Sequence, residues 1–505
     1  MKAKSVSTLL AATAAGVLAV PAAAVPLDPS TAVSTDVSVT CDQARLSEAI
    51  STANSHPGST LTLAGGCTYR LTTPLPALTA ATTINGRGAI LTRAADAPDF
   101  RILRDEGAAV ALSDLTVTGG RAEPGGNGGG ILATGALTLT RVVVAGNTAG
   151  AGAPREAGGS GGGIYIGPGG ALTATDARIV GNTAGAGGAQ PQSGYPGGGP
   201  GGDGGGITID AGTLTLVRTA VGGNRGGVGG RGADAIEPAY HSAGRGGAGG
   251  GIAARDASRV TARHSVICGN AGGTGGAGGA LKGGLFGYGS GGGIGGEGGG
   301  LKLTSDTAVL EDTTVCFNFS GDGGAGGPGD KYPGSKGSAG EGGGIETTAN
   351  LTITGGTITG NATGRDPDNA PGADGGGIRT ERSDLTVTGT TITGNRSTDD
   401  GGGIFYRIYK HSYNGSFNVT SATIAGNFAS STGGGVSVHG YYRKQIRSGS
   451  YHATLTTSTV IGNTAGEACG AISLNYIGAH LTLDRDTVTG NHPDDGCNEA
   501  PDTAN

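Results

Sequence analysis

A block of three glycines followed by an aliphatic residue, or a close variant of it, recurs ten times in this chain and constrains its fold more than any other feature. A threonine-rich stretch follows each block or close variant of it, and the unit then ends on an asparagine that has Val or Ile three residues before it. The aliphatic residues are Ile131, Ile164, Ile207, Ile252, Leu301, Ile345, Ile378, Ile404, Val436 and Ile472, and the asparagines are Asn147, Asn182, Asn224, Asn270, Asn318, Asn361, Asn395, Asn427, Asn463 and Asn491.

This spacing predicts a β-solenoid in which each repeat makes one coil. Successive asparagines are 28 to 48 residues apart, and the variation lies mainly between the asparagine and the next glycine block. A constant core with one variable loop is typical of solenoids. We expect three short strands per coil, stacked into parallel sheets about 4.8 Å apart. The asparagines should then form one structural column, and the triple glycines one corner with positive φ.

Composition excludes several other fold classes. Glycine supplies 110 of the 505 residues, but it keeps no three-residue period, which excludes a collagen helix. Tryptophan is absent and aromatic residues are 4% of the chain, so a conventional globular core built on large rings is not expected. The formal charge of -6 is small for this length and argues against nucleic acid as a partner.

The domain prediction is one β-helix preceded by an export signal. In residues 1–24, Lys2 and Lys4 precede an apolar run that ends in small residues, as in a signal peptide. A flexible segment 25–40 is followed by a single domain, 41–497, and a tail, 498–505. Within the domain we expect a cap with a short helix at 41–60, irregular first coils at 61–127 and repeat coils at 128–497. No later stretch is apolar enough to span a bilayer. We therefore predict a secreted, extracellular monomer without membrane insertion.

The start of the domain resembles a known family of exported proteins. The segment from Cys41 through Arg45, Leu46, Ser47, Glu48, Ala49 and Ile50 resembles the Cys-Ser-Leu-Arg-Glu-Ala type motif of secreted right-handed parallel β-helix proteins. The repeats are similar to those of polymorphic outer membrane proteins, with Gly-Gly-Gly-Ile and Val/Ile-x-Gly-Asn as their marks. This resemblance covers roughly residues 41–497 and implies an all-β, right-handed parallel β-helix of the pectate lyase-like superfamily. It implies little about activity, because this fold hosts adhesins, lyases and hydrolases.

Six cysteines in an exported chain suggest three disulfides. Cys268 and Cys316 both lie two residues before the asparagine of adjacent repeats, so stacking should bring them within bonding range. We also expect Cys41–Cys67 at the cap and Cys469–Cys497 at the last coil. Metal binding by cysteine is not expected, since no Cys-x-x-Cys pair is present.

Four long loops are dominated by glycine, at residues 185–203, 225–248, 271–297 and 319–341. All of them leave the same predicted corner, so they should form one layer on one side of the solenoid. Two interpretations remain open: loop expansion that the scaffold tolerates, or ordered packing of extended glycine segments into a binding surface.

Acidic residues recur at the position just before the glycine block. We call Glu297, Glu341, Asp374 and Asp400, which fall in four successive repeats, the carboxylate ladder; Asp203 precedes the block of an earlier repeat. Stacked carboxylates repel unless they are compensated. We expect compensation by the amides of the following glycines. A bound calcium ion is the alternative and the one cofactor that this chain would take. Paired carboxylates also serve glycoside hydrolysis; the Asn-Thr-Asp and Gly-His-Gly signatures of polygalacturonase-like β-helices are missing, and Asp399-Asp400 is only a weak echo of them.

A second anomaly lies between residues 401 and 466, which contain no Asp or Glu but six of the 13 tyrosines. The core of the repeat is lengthened in two successive units there, so both insertions should rise on one side. Tyrosine rings can lie on sugar rings, while Arg and Lys pair with carboxylate or sulfate. The candidate ligand-binding residues of this basic aromatic face are Tyr406, Arg407, Tyr409, Lys410, His411, His439, Tyr441, Tyr442, Arg443 and Lys444.

Two function classes follow from these observations. The favoured one is a secreted protein that binds an acidic polysaccharide or another cell-surface glycan without catalysis. The alternative is a polysaccharide lyase or glycoside hydrolase that acts on an acidic polysaccharide. The basic aromatic face also carries the residue types that run β-elimination, in which a base removes a proton and cations stabilise the enolate.

Overall fold

The chain folds as a right-handed parallel β-helix, as the repeats predict. The computed structural model describes residues 35–190, 197–234, 242–280, 289–365, 372–408, 415–440, 451–475, 479–495 and 497–498. Each repeat coil contributes one strand to a 12-stranded sheet and two strands to a 25-stranded sheet. Every named strand pairing in the described residues is parallel, because like strands of successive coils stack on one another.

The 12-stranded sheet begins where each glycine block ends. Its strands are Leu103–Asp105, Ile131–Ala133, Ile164–Ile166, Ile207–Asp210, Ile252–Arg255, Leu301–Leu303, Ile345–Thr347, Ile378–Glu381, Ile404–Ile408, Val436–Gly440, Ile472–Asn475 and Cys497–Asn498. A short third sheet consists of Arg396–Ser397, Phe428–Ala429 and Thr464–Ala465.

The 25-stranded sheet holds the threonine-rich stretches. Its first strands are Asp36–Val39, Ser59–Leu63, Thr68–Leu71, Thr82–Arg93 and Ala109–Thr118. The later coils each add two: Ala136–Thr140 and Val143–Ala145, Ala171–Thr175 and Arg178–Val180, Thr213–Val217 and Ala220–Gly222, Arg259–Arg263 and Val266–Cys268, Thr307–Glu311 and Thr314–Cys316, Asn350–Thr354 and Thr357–Thr359, Leu385–Thr388 and Thr391–Thr393, Phe417–Thr420 and Thr423–Ala425, Tyr451–Thr456 and Thr459–Ile461, Ala479–Asp484 and Thr487–Thr489.

The core is a continuous column of aliphatic side chains inside the coils. Strand residues alternate between the inside and the outside, so Leu351 and Ile353 are buried while the threonines between and after them face outward. Inward residues stack on their equivalents in the next coil, as Ile164 does on Ile207. This column buries apolar surface mainly through aliphatic side chains, with few large rings among them.

A helix covers the first coil, as predicted. It spans Gln43–Ser55, begins with the Asp42 side chain accepting the Arg45 amide hydrogen at 3.0 Å, and buries Leu46 and Ile50 among other residues. The first glycine of most blocks adopts positive φ, as expected; Gly298 has a φ of 64°. No helix in the described part of the chain is long and apolar enough to cross a membrane.

Disulfides join Cys41 to Cys67 and Cys268 to Cys316, which confirms both of these predicted pairs. The register explains the second pair, since Cys268 and Cys316 are direct partners in adjacent strands. Cys469 is also disulfide-bonded, while the side chain of Cys497, its predicted partner, lies outside the described side chains.

The asparagines form a hydrogen-bonded column, which confirms their structural role. Each side-chain amide donates to the side-chain oxygen of the next asparagine, at 2.9–3.0 Å from Asn147 through to Asn491. The same oxygen also accepts the backbone amide hydrogen of the preceding asparagine. It thus supplies the acceptor for this amide at the corner, in place of a main-chain carbonyl. At the last coil, Asp495 Oδ1 accepts from both nitrogens of Asn491 and thereby closes the column.

The described parts of the glycine-rich loops are ordered and packed against one another. We call residues 185–190, 197–203, 226–234, 242–248, 272–280, 289–297 and 319–341 the glycine slab. Gly227 donates to Gly202 O at 2.9 Å and accepts from Gly247 at 2.7 Å, and Gly230 repeats this pattern three residues later. A three-residue period is that of polyproline-II geometry. A Cβ on Gly227 would lie 1.9 Å from Gly185 O, so only glycine allows the segments to approach this closely. The slab therefore favours ordered packing over loop expansion.

Candidate functional site

The carboxylate ladder lies along one edge of the 12-stranded sheet, in register across four coils. The amides of the following glycines do not compensate it, and this prediction was wrong. Gly298 donates to the backbone oxygen of Glu341 at 2.9 Å, and Gly342 donates to that of Asp374 at 3.0 Å. These amides are taken up by the hydrogen bonds that hold one coil to the next, so they are not free to bind carboxylates.

Basic side chains from the sheet compensate the ladder instead. They come from outward-facing strand positions, and each reaches a carboxylate at the edge of its own or a preceding coil. Glu297 lies 2.5 Å from Lys302 Nζ, Glu341 2.8 Å from Arg379, Asp374 2.9 Å from Arg407, and Asp400 3.2 Å from His439 Nε2. In the earlier repeat, Asp203 accepts the Ala248 amide and lies 3.2 Å from Arg255.

The middle of the ladder is an ion-pair network centred on one buried carboxylate. Glu346 is 1% exposed, and its Oε1 accepts from Arg379 Nη1 at 2.6 Å and lies 3.4 Å from Lys302 Nζ. Burial raises the pKa of Glu346 to about 7, although the two cations oppose that rise. A paired charge at this depth stabilises the stacking only while both partners are present. We assign Glu297, Glu341 and Glu346 a structural role.

The ladder ends in a different arrangement, which we call the acidic cluster: Asp374, Asp399 and Asp400. One carboxylate oxygen of each residue lies within 4.8 Å of the others. Asp374 Oδ1 accepts the Asp400 amide at 3.3 Å, and Asp400 Oδ1 accepts both the amide and the hydroxyl of Thr432 at 2.8 Å. Asp399 is the member most open to solvent. The cluster thus brings three carboxylates from two coils to one point.

The three carboxyl groups differ in proton affinity. Burial, followed by the charge of Glu341, raises the pKa of Asp374 to about 7, and Arg407 opposes this rise. Burial and the neighbouring Asp400 raise the pKa of Asp399 to about 6. Burial also opposes ionisation of Asp400, but its contacts with His439 and Thr432 outweigh that effect and keep its pKa below the usual range. A protonated carboxyl and an ionised one therefore lie side by side near neutral pH.

The ring of Phe405 packs against both Arg407 and His439. Its ring lies 4.9 Å from the His439 ring and 4.9 Å from the Arg407 guanidinium, and it is fully covered. His439 Nε2 lies close to Asp400 but is not aligned for a hydrogen bond. This buried nitrogen therefore makes no hydrogen bond in the described part of the chain. Sequence reasoning missed Phe405 and Thr432 as supports of the site. The alternation along strand Ile404–Ile408 was the signal that would have placed Phe405 outside.

The same alternation overturns one predicted ligand contact. Tyr406 faces inward with Ile404, is 2% exposed, packs on Phe417 at 5.3 Å and donates to Ser383 O at 3.2 Å. It is a core residue and cannot stack on a sugar. Arg407 and His439 are outward and lie at the acidic cluster. The other candidates lie outside the described residues: Tyr409, Lys410, His411, Tyr441, Tyr442, Arg443 and Lys444.

Comparison with known proteins bears neither on the fold nor on the site. No family model and no curated protein sequence matches the chain. Among solved structures, the chain is similar to tailspike protein 3 of bacteriophage CBA120, with 10% identity and a TM-score of 0.27. The match covers 87% of this chain and 57% of the tailspike chain. At that TM-score the likeness carries no argument about the site.

Proposed function

We propose that this protein is an extracellular β-helix that binds an acidic glycan and hydrolyses one of its glycosidic bonds at the acidic cluster. The observation that carries the proposal is the convergence of Asp374, Asp399 and Asp400 within 4.8 Å, flanked by Arg407 and His439. Glycoside hydrolysis needs one carboxyl group as acid and another as base or nucleophile. Disulfides support an oxidising, extracellular environment.

The residues of the cluster fit these two roles. Asp374, whose pKa is raised to about 7, would donate a proton to the leaving oxygen. Asp400, whose pKa is lowered, would act as the base or nucleophile. The sequence also supplies cations for an acidic substrate, since Lys410 follows Arg407 by three residues, and Arg443 and Lys444 follow His439 by four and five.

A calcium site is the second interpretation of the cluster, and we favour it less. Calcium takes six to eight oxygen ligands. Arg407 already binds Asp374 Oδ2, Thr432 binds Asp400 Oδ1, and His439 lies against Asp400 Oδ2. The Arg407 guanidinium already lies against Asp374, and a second positive charge beside it would be unfavourable. An unchanged melting temperature in calcium and in chelator would agree with hydrolysis, whereas a rise in calcium that Asp399→Asn abolishes would favour the ion.

The direct test is cleavage of acidic polysaccharides, followed by the release of reducing ends. We expect activity in the wild type and a loss of about 100-fold or more in Asp400→Asn and in Asp374→Asn, because each removes one half of the acid–base pair. The matched control is Asp203→Asn, which changes an equivalent position several coils away and should leave the rate unchanged.

Two outcomes would contradict hydrolysis. Products that absorb near 235 nm would indicate a lyase, because β-elimination leaves an unsaturated end. Retention of a glycan by wild type and by both cluster variants, with no shortening of the chain, would instead restore binding without catalysis.

A further inference from the structure

One corner of the β-helix contains an unusual exception to its own pattern. The residue before each column asparagine is glycine in nine of the ten units, and these glycines all have φ between 59° and 69°. The tenth unit has Phe317 there, with a φ of 50°. Left-handed backbone is unfavourable for a bulky residue. Fifteen other non-glycine residues of the described chain also adopt positive φ, but none of them lies at this position of the repeat. Phe317 thus occupies a position where glycine would fit with less strain.

Phe317 is exposed, together with a second phenylalanine two residues later. The two are 58% and 49% exposed, and we call them the aromatic platform. Three of the other phenylalanines, Phe100, Phe405 and Phe417, are buried. A covered ring stabilises a fold through burial, and these two rings do so much less. The strain at Phe317 is therefore not explained by packing.

The surroundings leave the rings of the platform accessible. The ring of Phe317 lies over Gly360 in the next coil, where a Cβ would be 2.5 Å from its Cε1. Phe319 is flanked by Ala271 and Ala362 in the neighbouring coils. Because these neighbours are glycine and alanine, no large side chain lies beside the rings. The disulfide between Cys268 and Cys316 directly precedes Phe317 and ties its coil to the previous one. Two exposed rings thus lie on either side of Asn318, at a corner that the disulfide ties to the previous coil.

We propose that Phe317 and Phe319 form a second glycan-binding site, in which the rings stack on the apolar face of a sugar. Two rings between glycines and alanines offer far less area than the roughly 800 Å² that each partner buries in a stable protein interface. This argues against a protein as the partner of the patch. A single pyranose is of the size of one ring, and the outward threonines Thr357 and Thr359 of the next coil can bind its hydroxyls. This patch carries no formal charge, so binding here depends on ring shape rather than on substrate charge.

This inference rests on the proposed function in that both require a glycan, but it uses none of the residues of the acidic cluster. The platform follows strand Thr314–Cys316 of the 25-stranded sheet, whereas the cluster adjoins the 12-stranded sheet. Binding is therefore best measured in the Asp400→Asn background on a glycan array, and then by affinity electrophoresis with the strongest hit.

We expect Phe317→Gly and Phe319→Ala each to weaken retention tenfold or more, with little dependence on salt. Phe317→Gly should melt at the same or a higher temperature than its parent, because glycine suits this φ, so lost binding would not reflect unfolding. Phe317→Tyr keeps the ring and should keep the binding. Leu483→Ala, which removes another exposed apolar side chain, is the control and should change nothing.

The outcomes separate this inference from the proposed function. Wild-type retention in both Phe317→Gly and Phe319→Ala would overturn the platform, as would failure of the Asp400→Asn protein to bind any glycan on the array. Either result would leave hydrolysis by the wild type intact. Conversely, an inactive wild type whose retention is lost in Phe317→Gly would reject hydrolysis and keep the platform.

Discussion

The carboxyl groups of the acidic cluster differ in pKa because each has different neighbours from other coils. Asp374 and Asp400 hold equivalent positions in adjacent repeats, yet burial and Glu341 raise the pKa of the first, whereas His439 and Thr432 lower that of the second. A difference of this kind between two nearby carboxyls is what acid–base catalysis requires.

Hydrolysis is accordingly expected to fall as the pH rises through about 7, where Asp374 loses its proton. Because the charge of Glu341 raises the pKa of Asp374, Glu341→Gln should move this alkaline limb to lower pH. A profile of kcat/KM against pH measures it, with Glu297→Gln as a control from the same ladder. An alkaline limb that stays in place or moves upward in Glu341→Gln would show that another group is the acid.

Among the elements, the glycine slab shows how a segment without β-strand pairing becomes ordered. Its amide hydrogens and carbonyl oxygens are satisfied by neighbouring segments, at every third residue. Order here depends on close approach of backbones, which any side chain at the contact would prevent. The slab ends where the loops shorten, at the coil that carries Asp374.

Gly227→Ala should therefore disrupt the slab, since its Cβ would meet Gly185 O at 1.9 Å. We expect faster hydrogen exchange and new protease cleavage within residues 226–248, while the coils keep their β-sheet signal. Gly291→Ala is the matched control, because its Cβ would meet only the Ser335 side chain, at 3.0 Å. Equal protection in the two variants would mean that the slab does not depend on backbone contact.

Some carboxyl groups of this protein are buried on folding and bind protons more tightly in the folded state than in the unfolded chain. Folding raises the pKa of both Glu346 and Asp374 to about 7, so between about pH 4 and 7 the folded state carries more protons than the unfolded chain. Their contribution to stability consequently declines as the pH rises through this range. Asp176 and Glu311, whose pKa values are lowered by Arg218 and Arg263, lose their stabilising effect only below about pH 4.

The melting temperature is thus expected to be higher at pH 5 than at pH 8. Glu346→Gln removes one of the groups that cause this dependence and should reduce the difference, whatever it does to stability itself. Thermal unfolding followed by circular dichroism at several pH values tests this, with the exposed Glu48→Gln as a control. A melting temperature that increases from pH 5 to pH 8 would contradict the assignment of buried, protonated carboxyls.

The sequence by itself determined the features that depend on position within the repeat. The glycine corner, the asparagine column and the Cys268–Cys316 pair all follow once equivalent residues are stacked, because a parallel coil superposes like on like. Predicting this disulfide required no knowledge of side-chain packing. It required only that both cysteines lie two residues before the asparagine of their repeat.

Only the tertiary structure decided which side chains meet across different positions of the repeat. The compensation of the ladder by Lys302, Arg379 and Arg407 depends on side-chain reach between columns, which no period encodes. The phase of strand Ile404–Ile408 decided that Tyr406 is buried and Phe405 faces outward, and a shift of one residue would reverse the two. Contacts between columns, unlike those within a column, depend on side-chain length as well as on strand phase. The inward aliphatic residue after each glycine block indicates the phase, but the repeat does not specify which long side chains meet.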